Sequence, residues 1–145
     1  MTPAEMPARL AVGLDGPHSD EDTAAVAGLT AEAVRFLAYA TGPHASGGLT
    51  DPATAYQVTG SLSLAAFRLD QCFARVTDFL DRELAAGRLG EDSGRHPALA
   101  VERARRHLEH AAEAARALND ALSAAQNDLA GLHQTTGRSH HGGRS

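Results

Sequence analysis

The sequence lacks tryptophan and lysine, contains one cysteine, and devotes only 4% of its 145 residues to aromatic side chains. The single cysteine, Cys72, excludes an internal disulfide bond and a zinc site built from several cysteines. No run approaches the roughly 18 apolar residues that a membrane-spanning helix needs. Because aromatic residues are scarce, the core must be built mainly from leucine, valine and alanine. A chain of this length accommodates one domain with such a core.

The charged residues also narrow the range of functions expected for this chain. All 13 basic residues are arginine and alanine is abundant, which indicates a high-GC coding sequence rather than selection for arginine. The net charge of −5 argues against a general nucleic-acid binder. The first residues carry an early acid and prolines and have no apolar core segment, unlike a Sec-type signal peptide. We therefore expect a soluble, cytoplasmic protein that does not contact membranes.

The strongest positive signal is a heptad repeat in the C-terminal half. Apolar and small residues recur at alternating steps of three and four, at Val101, Ala104, Leu108, Ala111, Ala115, Leu118, Leu122, Ala125, Leu129 and Leu132. A 3.5-residue repeat kept over four heptads specifies a helix that packs lengthwise against another helix. The repeat predicts a helix over about 97–132 with these residues in its seam.

A second periodic run begins at Asp51, where an aspartate followed by Pro52 is typical of an N-cap and a first helical turn. Its predicted seam comprises Ala55, Thr59, Leu62, Ala66, Leu69, Phe73, Val76 and Leu80. A flanking stripe widens that seam, with Ala65, Cys72, Phe79 and Ala86. The spacing keeps phase through Gly60, which predicts one helix over about 52–87 with Gly60 as the expected place for a bend. Cys72 is predicted to be a buried, unreactive thiol.

A shorter helix is predicted before these two. Ser19 and Asp22 form a capping-box pattern, and Gly42-Pro43 ends the periodic run, which gives a helix over about 20–41. The sequence thus predicts an all-α three-helix bundle, an elongated antiparallel helical hairpin (about 52–87 and 97–132) with the N-terminal helix packed against it. The bundle domain covers 19–132, between a disordered arm (1–18) and a disordered tail (133–145).

Two segments carry a resemblance to known proteins. Residues 33–41 (AVRFLAYAT) and 49–65 (LTDPATAYQVTGSLSLA) resemble a group of small helical proteins of unassigned function from Streptomyces and related actinobacteria, associated with plasmids or integrative elements. The likeness covers about residues 33–70 and implies an actinobacterial source and an all-helical fold. It carries no catalytic motif and supplies no site residues. The helical hairpins of type VII secretion are a poorer match, because they carry a Trp-x-Gly turn where this chain has Arg88-Leu89-Gly90-Glu91.

Arginines form the main candidate interaction surface. Arg68, Arg75 and Arg82 recur every seven residues along one side of the second helix, and Arg103 and Arg106 cluster with Arg105 on the third. Such a stripe suits an acidic protein partner or a phosphate backbone. A solvated face with salt bridges, including an i,i+4 pair between Asp78 and Arg82, is the simpler interpretation.

A second candidate site lies at the corner between the first two helices, where Arg35, Tyr39, His44 and Tyr56 come together in sequence. These residues suit either a small-ligand pocket or the packing of a helix–helix corner. The triplet His107, His110 and Glu113 has the spacing of metal ligands, but its position on the solvated side and its neighbouring arginines argue against a metal. We predict no metal, cofactor or catalytic residue.

These observations favour a non-enzymatic interaction or scaffold protein that presents a rigid helical surface to a protein partner or to a second copy of itself. A nucleic-acid-associated accessory factor of a mobile element is the first alternative. A small-ligand binder at the corner of the first two helices is the second. The alanine-rich seam keeps a homo-oligomer among the expected forms, because small residues bury little apolar area in a bundle that stands alone.

Overall fold

The computed structural model describes residues 18–43 and 47–135, which form three α-helices and no strand. The helices are α1 (Asp20–Ala40), α2 (Pro52–Ala85) and α3 (Ala98–Leu129). The predicted all-α fold is therefore confirmed, and every helix begins and ends within three residues of its predicted bounds.

The chain divides into two compact units, residues 1–50 and residues 51–145. The first contains α1, and the second contains α2 and α3. The packing of α1 against the hairpin and the single domain over 19–132 stay predictions. The predicted arm and tail lie almost wholly outside the described residues. Among the described helices, none combines the length and the apolarity that crossing a membrane requires.

Helix α1 is bounded by local hydrogen bonds that its sequence predicts. The Ser19 hydroxyl accepts a hydrogen bond from the Asp22 amide at 3.0 Å, and Asp20, Glu21 and Asp22 place negative charge in the first turn. At the other end, the Thr41 amide donates to the Leu37 carbonyl. These caps satisfy backbone groups that a helix end otherwise leaves without partners.

Helix α2 runs unbroken through Gly60. It begins at Pro52. Asp51 is the N-cap residue, and its carboxylate accepts a hydrogen bond from the Ala53 amide at 3.0 Å. A Cβ atom at position 60 would lie 2.1 Å from the Nε2 atom of Gln126 on α3. Glycine at this position therefore allows the Gln126 amide to lie directly against the backbone of α2.

The two long helices pack as an antiparallel hairpin in a constant register. Ser63 bonds to Ser123 at 2.8 Å, and Asp70 binds Arg116 at 3.0 Å. Farther along, Asp81 binds Arg105. From one pair to the next, the α2 residue moves forward in sequence by as many positions as the α3 residue moves back. The three pairs therefore define a single antiparallel register along the whole hairpin.

The centre of the seam holds small and polar side chains. Ala66, Ala112 and Ala115 are buried, and Ser63 is buried beside them. The Ser63 hydroxyl lies 2.7 Å from Oδ1 of Asn119 and 2.8 Å from the Ser123 hydroxyl. Because the distance between two helix axes depends on the side chains at the contact, alanine at these positions lets α2 and α3 approach more closely than leucine would.

Most of the predicted seam is buried or half-buried, but two of its positions in the middle of each helix are not. The sequence predicts seam positions for Leu69, Val76, Leu118 and Ala125, but all four are exposed. The residues that follow them are half-buried instead, namely Asp70, Thr77, Asn119 and Gln126. The predicted flanking stripe of Ala65, Cys72, Phe79 and Ala86 is exposed as well, and so is Leu132. The cause is the set of polar contacts across the hairpin, which rotates both helices toward the side that carries them.

The connection between α2 and α3 begins with a Schellman turn. The Arg88 amide donates to the Glu83 carbonyl and the Gly87 amide to the Leu84 carbonyl, while Gly87 adopts a φ of +69°. The Arg88 side chain returns to the Glu83 carboxylate through contacts of 2.7 and 2.8 Å. These hydrogen bonds from Arg88 lower the pKa of Glu83, and the charges of Arg88 and Arg82 add to the effect.

We expect Gly87→Ala to lower the free energy of unfolding by about 1–2 kcal/mol, because a Cβ atom is disfavoured in the left-handed region. Gly90→Ala in the same connection is the matched control. Its φ is not in that region and nothing lies within 4 Å of a Cβ there, so no loss is expected. Urea denaturation followed by circular dichroism measures both. Equal losses would contradict the role assigned to Gly87.

We expect a double-mutant cycle to reveal the contact between Gly60 and Gln126. In a Gln126→Ala background, Gly60→Ala gains the helix propensity of alanine, about 1 kcal/mol. In the wild-type background the gain is smaller, because the new Cβ atom displaces the Gln126 amide. Denaturation of the four proteins gives the coupling energy. The contact is disproved if the two gains are equal.

We expect Arg88→Gln to raise the pKa of Glu83 toward its ordinary value. Because the folded-state pKa is lowered, the ion pair adds stability above the unfolded-state pKa, and this is lost as pH falls through the folded-state value. Titration of the Glu83 carboxyl carbon by NMR measures the shift. Arg95→Gln, at an exposed residue of the same connection, is the control and should leave the Glu83 pKa unchanged.

Candidate functional site

An arginine ridge, formed by Arg68, Arg75 and Arg82, runs along the outer side of α2. All three side chains are exposed, and they follow one another at about 10 Å along the helix axis. None of them forms an ion pair with another described residue, and the predicted pair between Asp78 and Arg82 is absent there. Within the described residues the ridge therefore presents three arginines without an ion-pair partner, although Asp78 lies near Arg75 and Arg82 and the Arg82 charge helps to lower the pKa of Glu83.

The arginines of α3 divide into two kinds. Arg103 and Arg106 are exposed and have no ion pair within the described part of the chain. Arg105 and Arg116 instead point across the hairpin, to Asp81 and Asp70. The Nε atom of Arg105 is buried without a hydrogen bond, and the Glu102 carboxylate lies 3.7 Å from it. The sequence grouped Arg105 with Arg103 and Arg106, but its role is structural.

An apolar face covers one side of the hairpin, between the seam and the arginine ridge. A helix turns by about 100° per residue, so Leu69 lies one such step from Asp70, away from the polar contacts. On α2 the face comprises Leu62, Ala65, Leu69, Cys72, Val76 and Phe79. On α3 it comprises Ala111, Ala114, Leu118, Ala121 and Ala125. Val76, Phe79 and Leu118 each expose nearly half of their surface, and Leu69 exposes 36%.

Cys72 lies on this apolar face and is exposed. The prediction of a buried thiol is therefore wrong. The sequence placed Cys72 in the flanking stripe that widens the core, and the stripe itself is present with the expected spacing. Its exposure follows from the rotation of α2 toward the polar contacts, which turns the stripe outward.

The opposite side of the hairpin is acidic. A groove of about 340 Å³ lies between the two helices there, and its charged lining residues are Asp70, Asp78, Glu109, Glu113 and Arg116. Phe73 and Leu108 form part of its lining. The hairpin therefore has a basic and apolar side and an acidic side, which are expected to attract different molecules.

The described residues hold no group of three or more histidine, cysteine or acidic side chains arranged to bind a metal ion. His107, His110 and Glu113 are each exposed on α3. These three residues therefore do not form an assembled set of metal ligands within the described part of the chain.

The residues of the predicted ligand corner fall in both units. Arg35 in α1 binds the Glu32 carboxylate at 2.7 Å, and this hydrogen bond lowers the pKa of Glu32 and raises that of Arg35. Tyr39 in α1 and Tyr56 in α2 are both exposed. His44 lies outside the described residues. The ligand corner stays a prediction.

Comparison of the chain with protein-family models, with curated proteins and with solved structures finds no match. Its function therefore has to be argued from its own residues. The apolar face and the arginine ridge are the features from which that argument starts.

Proposed function

We propose that this chain is a non-enzymatic interaction protein whose α2–α3 hairpin presents a preformed helical surface to a protein partner. The observation that carries the proposal is the apolar face with the arginine ridge along its edge. Leu69, Val76 and Phe79 remain substantially exposed on one side of α2. Burying the remaining apolar area is favourable by about 25 cal/mol per Å². A partner that covers the face gains this free energy.

The hairpin is suited to presenting that surface because its two helices are held in register. Asp70 with Arg116 and Ser63 with Asn119 connect α2 to α3 on the side opposite the apolar face. Each exposed ion pair contributes little to stability, about 0–1 kcal/mol, but the set fixes which residues lie side by side. A surface that is ordered before binding loses less conformational entropy when a partner docks.

The unpaired arginines add a charge preference to the apolar contact. Arg68 and Arg75 border the face along α2, and Arg103 and Arg106 are exposed on α3. Cations at the rim of an apolar patch accelerate encounters with acidic partners and disfavour basic ones. The expected protein partner therefore carries an apolar stripe bordered by carboxylates.

Site-specific photo-crosslinking in cells of the source organism tests the proposal. A photoreactive phenylalanine replaces Arg75, beside the apolar face, or Glu109, on the acidic side, as the matched control. We expect discrete protein adducts from position 75 and few from position 109, because only the first lies beside the proposed docking surface. Adducts of equal number and identity at both positions would contradict the proposal.

A nucleic-acid-associated role is the second candidate, and the three unpaired cations of the arginine ridge favour it. It also fits the resemblance to proteins associated with mobile elements. Phosphate binding predicts that affinity for a DNA duplex falls steeply between 50 and 200 mM salt and is lost in Arg68→Glu/Arg75→Glu. Fluorescence anisotropy measures both effects. The protein-interaction proposal expects no such salt-dependent binding, so this measurement separates the two.

A further inference from the structure

We propose that the apolar face is a self-association surface, on which a second copy of this chain docks face to face. This inference rests on the proposed function and names the partner. It concerns Leu62, Leu69 and Val76 on α2, together with Leu118 and the alanines beside it on α3. In the resulting dimer the two hairpins form a four-helix bundle.

Each helix carries a second heptad repeat outside the hairpin seam. On α2, the face residues follow steps of three and four: Leu62, Ala65, Leu69, Cys72, Val76 and Phe79. On α3, the same steps are repeated by Ala111, Ala114, Leu118, Ala121 and Ala125. The seam inside the hairpin uses other residues, namely Ser63, Ala66, Ala112 and Ala115. A heptad repeat outside the seam is the pattern of a surface that packs lengthwise against another helix.

The two outer repeats lie at the same level along the hairpin. The contact between Asp70 and Arg116 sets the register, and it brings Leu69 level with Leu118. By the same register Val76 lies level with Ala111, and Leu62 lies level with Ala125. The repeats therefore form one continuous face across both helices, and no charged residue interrupts it between these levels.

The apolar face is complementary to itself in shape. Its α2 half carries the bulky side chains Leu62, Leu69, Val76 and Phe79, whereas its α3 half is mostly alanine. A two-fold axis parallel to the helices places α2 of each copy antiparallel to α3 of the other. Leu62 and Val76 of one copy then pack against Ala125 and Ala111 of the second, and Leu69 packs against Leu118, so that large and small side chains fill the bundle core together. An isologous interface of this kind closes as a dimer.

The area of the face is sufficient for a weak dimer. From Leu62 to Phe79 it is about 26 Å long, and two adjacent helices make it about 18 Å wide. The footprint is on the order of 500 Å² per copy, or about 1,000 Å² in total, at the lower limit for a specific interface. We therefore expect a weak dimer that dissociates on dilution.

Light scattering of the full chain over the range from 1 to 500 μM tests self-association. We expect the wild-type mass to rise from monomer to dimer. Leu69→Glu in the apolar face should weaken the dimer at least 100-fold, because each of the two copies would bury an unpaired carboxylate at the interface. Leu64→Glu is the matched control, since Leu64 is also exposed on α2 but lies outside the face. Circular dichroism verifies that both variants keep their helices.

Formation of a disulfide between two copies tests their relative orientation in the proposed dimer. Ala114→Cys places a thiol level with Cys72, which the proposed two-fold brings close to Cys72 of the second copy. We expect oxidation to yield a covalent dimer from this variant, and far less from Glu113→Cys on the acidic side or from the wild type. The same arrangement predicts that native Cys72 reacts several-fold more slowly with a thiol reagent at high protein concentration than at low concentration.

Three results would overturn the inference. They are a wild-type monomer at every concentration, equal weakening by Leu64→Glu and Leu69→Glu, and equal cross-linking through Ala114→Cys and Glu113→Cys. A wild-type monomer whose photo-adducts at position 75 contain other proteins would reject self-association while supporting the proposed function. A dimer with the expected variant effects, but no photo-adduct other than the chain itself, would make self-association the whole of that function.

Discussion

The close approach of α2 and α3 is the constraint on which the rest of the structure depends. Ala66, Ala112 and Ala115 fill the centre of the seam, and Gly60 leaves room for the Gln126 amide. Small side chains bring the helices together but bury little apolar area each. The hairpin therefore relies on polar contacts across the seam to fix its register, of which Ser63 with Asn119 is the most buried. Once those contacts form, Leu69 and Val76 of α2 cannot also face α3.

The helices could be predicted from the sequence because their signals are local. Ser19 caps α1, Asp51 and Pro52 begin α2, and Gly87 ends it with a turn that only a few neighbouring residues define. The rotation of each helix about its axis could not be predicted in the same way. This rotation depends on contacts between residues far apart in sequence, such as Asp70 with Arg116. A prediction based on hydrophobicity alone places Leu69 in the seam instead of Asp70.

The same distinction explains what could be predicted of the candidate site. The exposure of Arg68, Arg75 and Arg82 follows from charge and heptad spacing, both visible in the sequence. The exposure of Cys72 and Phe79 does not, because their spacing equally suits a wide core. The flanking stripe has the predicted spacing, but its residues are exposed instead of packed against α3.

A helix with two packing surfaces has a physical consequence for self-association. If the largest side chains formed the hairpin seam, the alanines would face outward and little free energy would remain for a partner. Here Ala66, Ala112 and Ala115 occupy the centre of the seam, while Leu69, Val76 and Phe79 stay outside. Exposed apolar area of this kind favours association, whereas the arginine ridge beside it opposes indiscriminate aggregation by like-charge repulsion. The balance favours a partner that matches the face in both shape and periodicity, and a second copy of the hairpin has both properties.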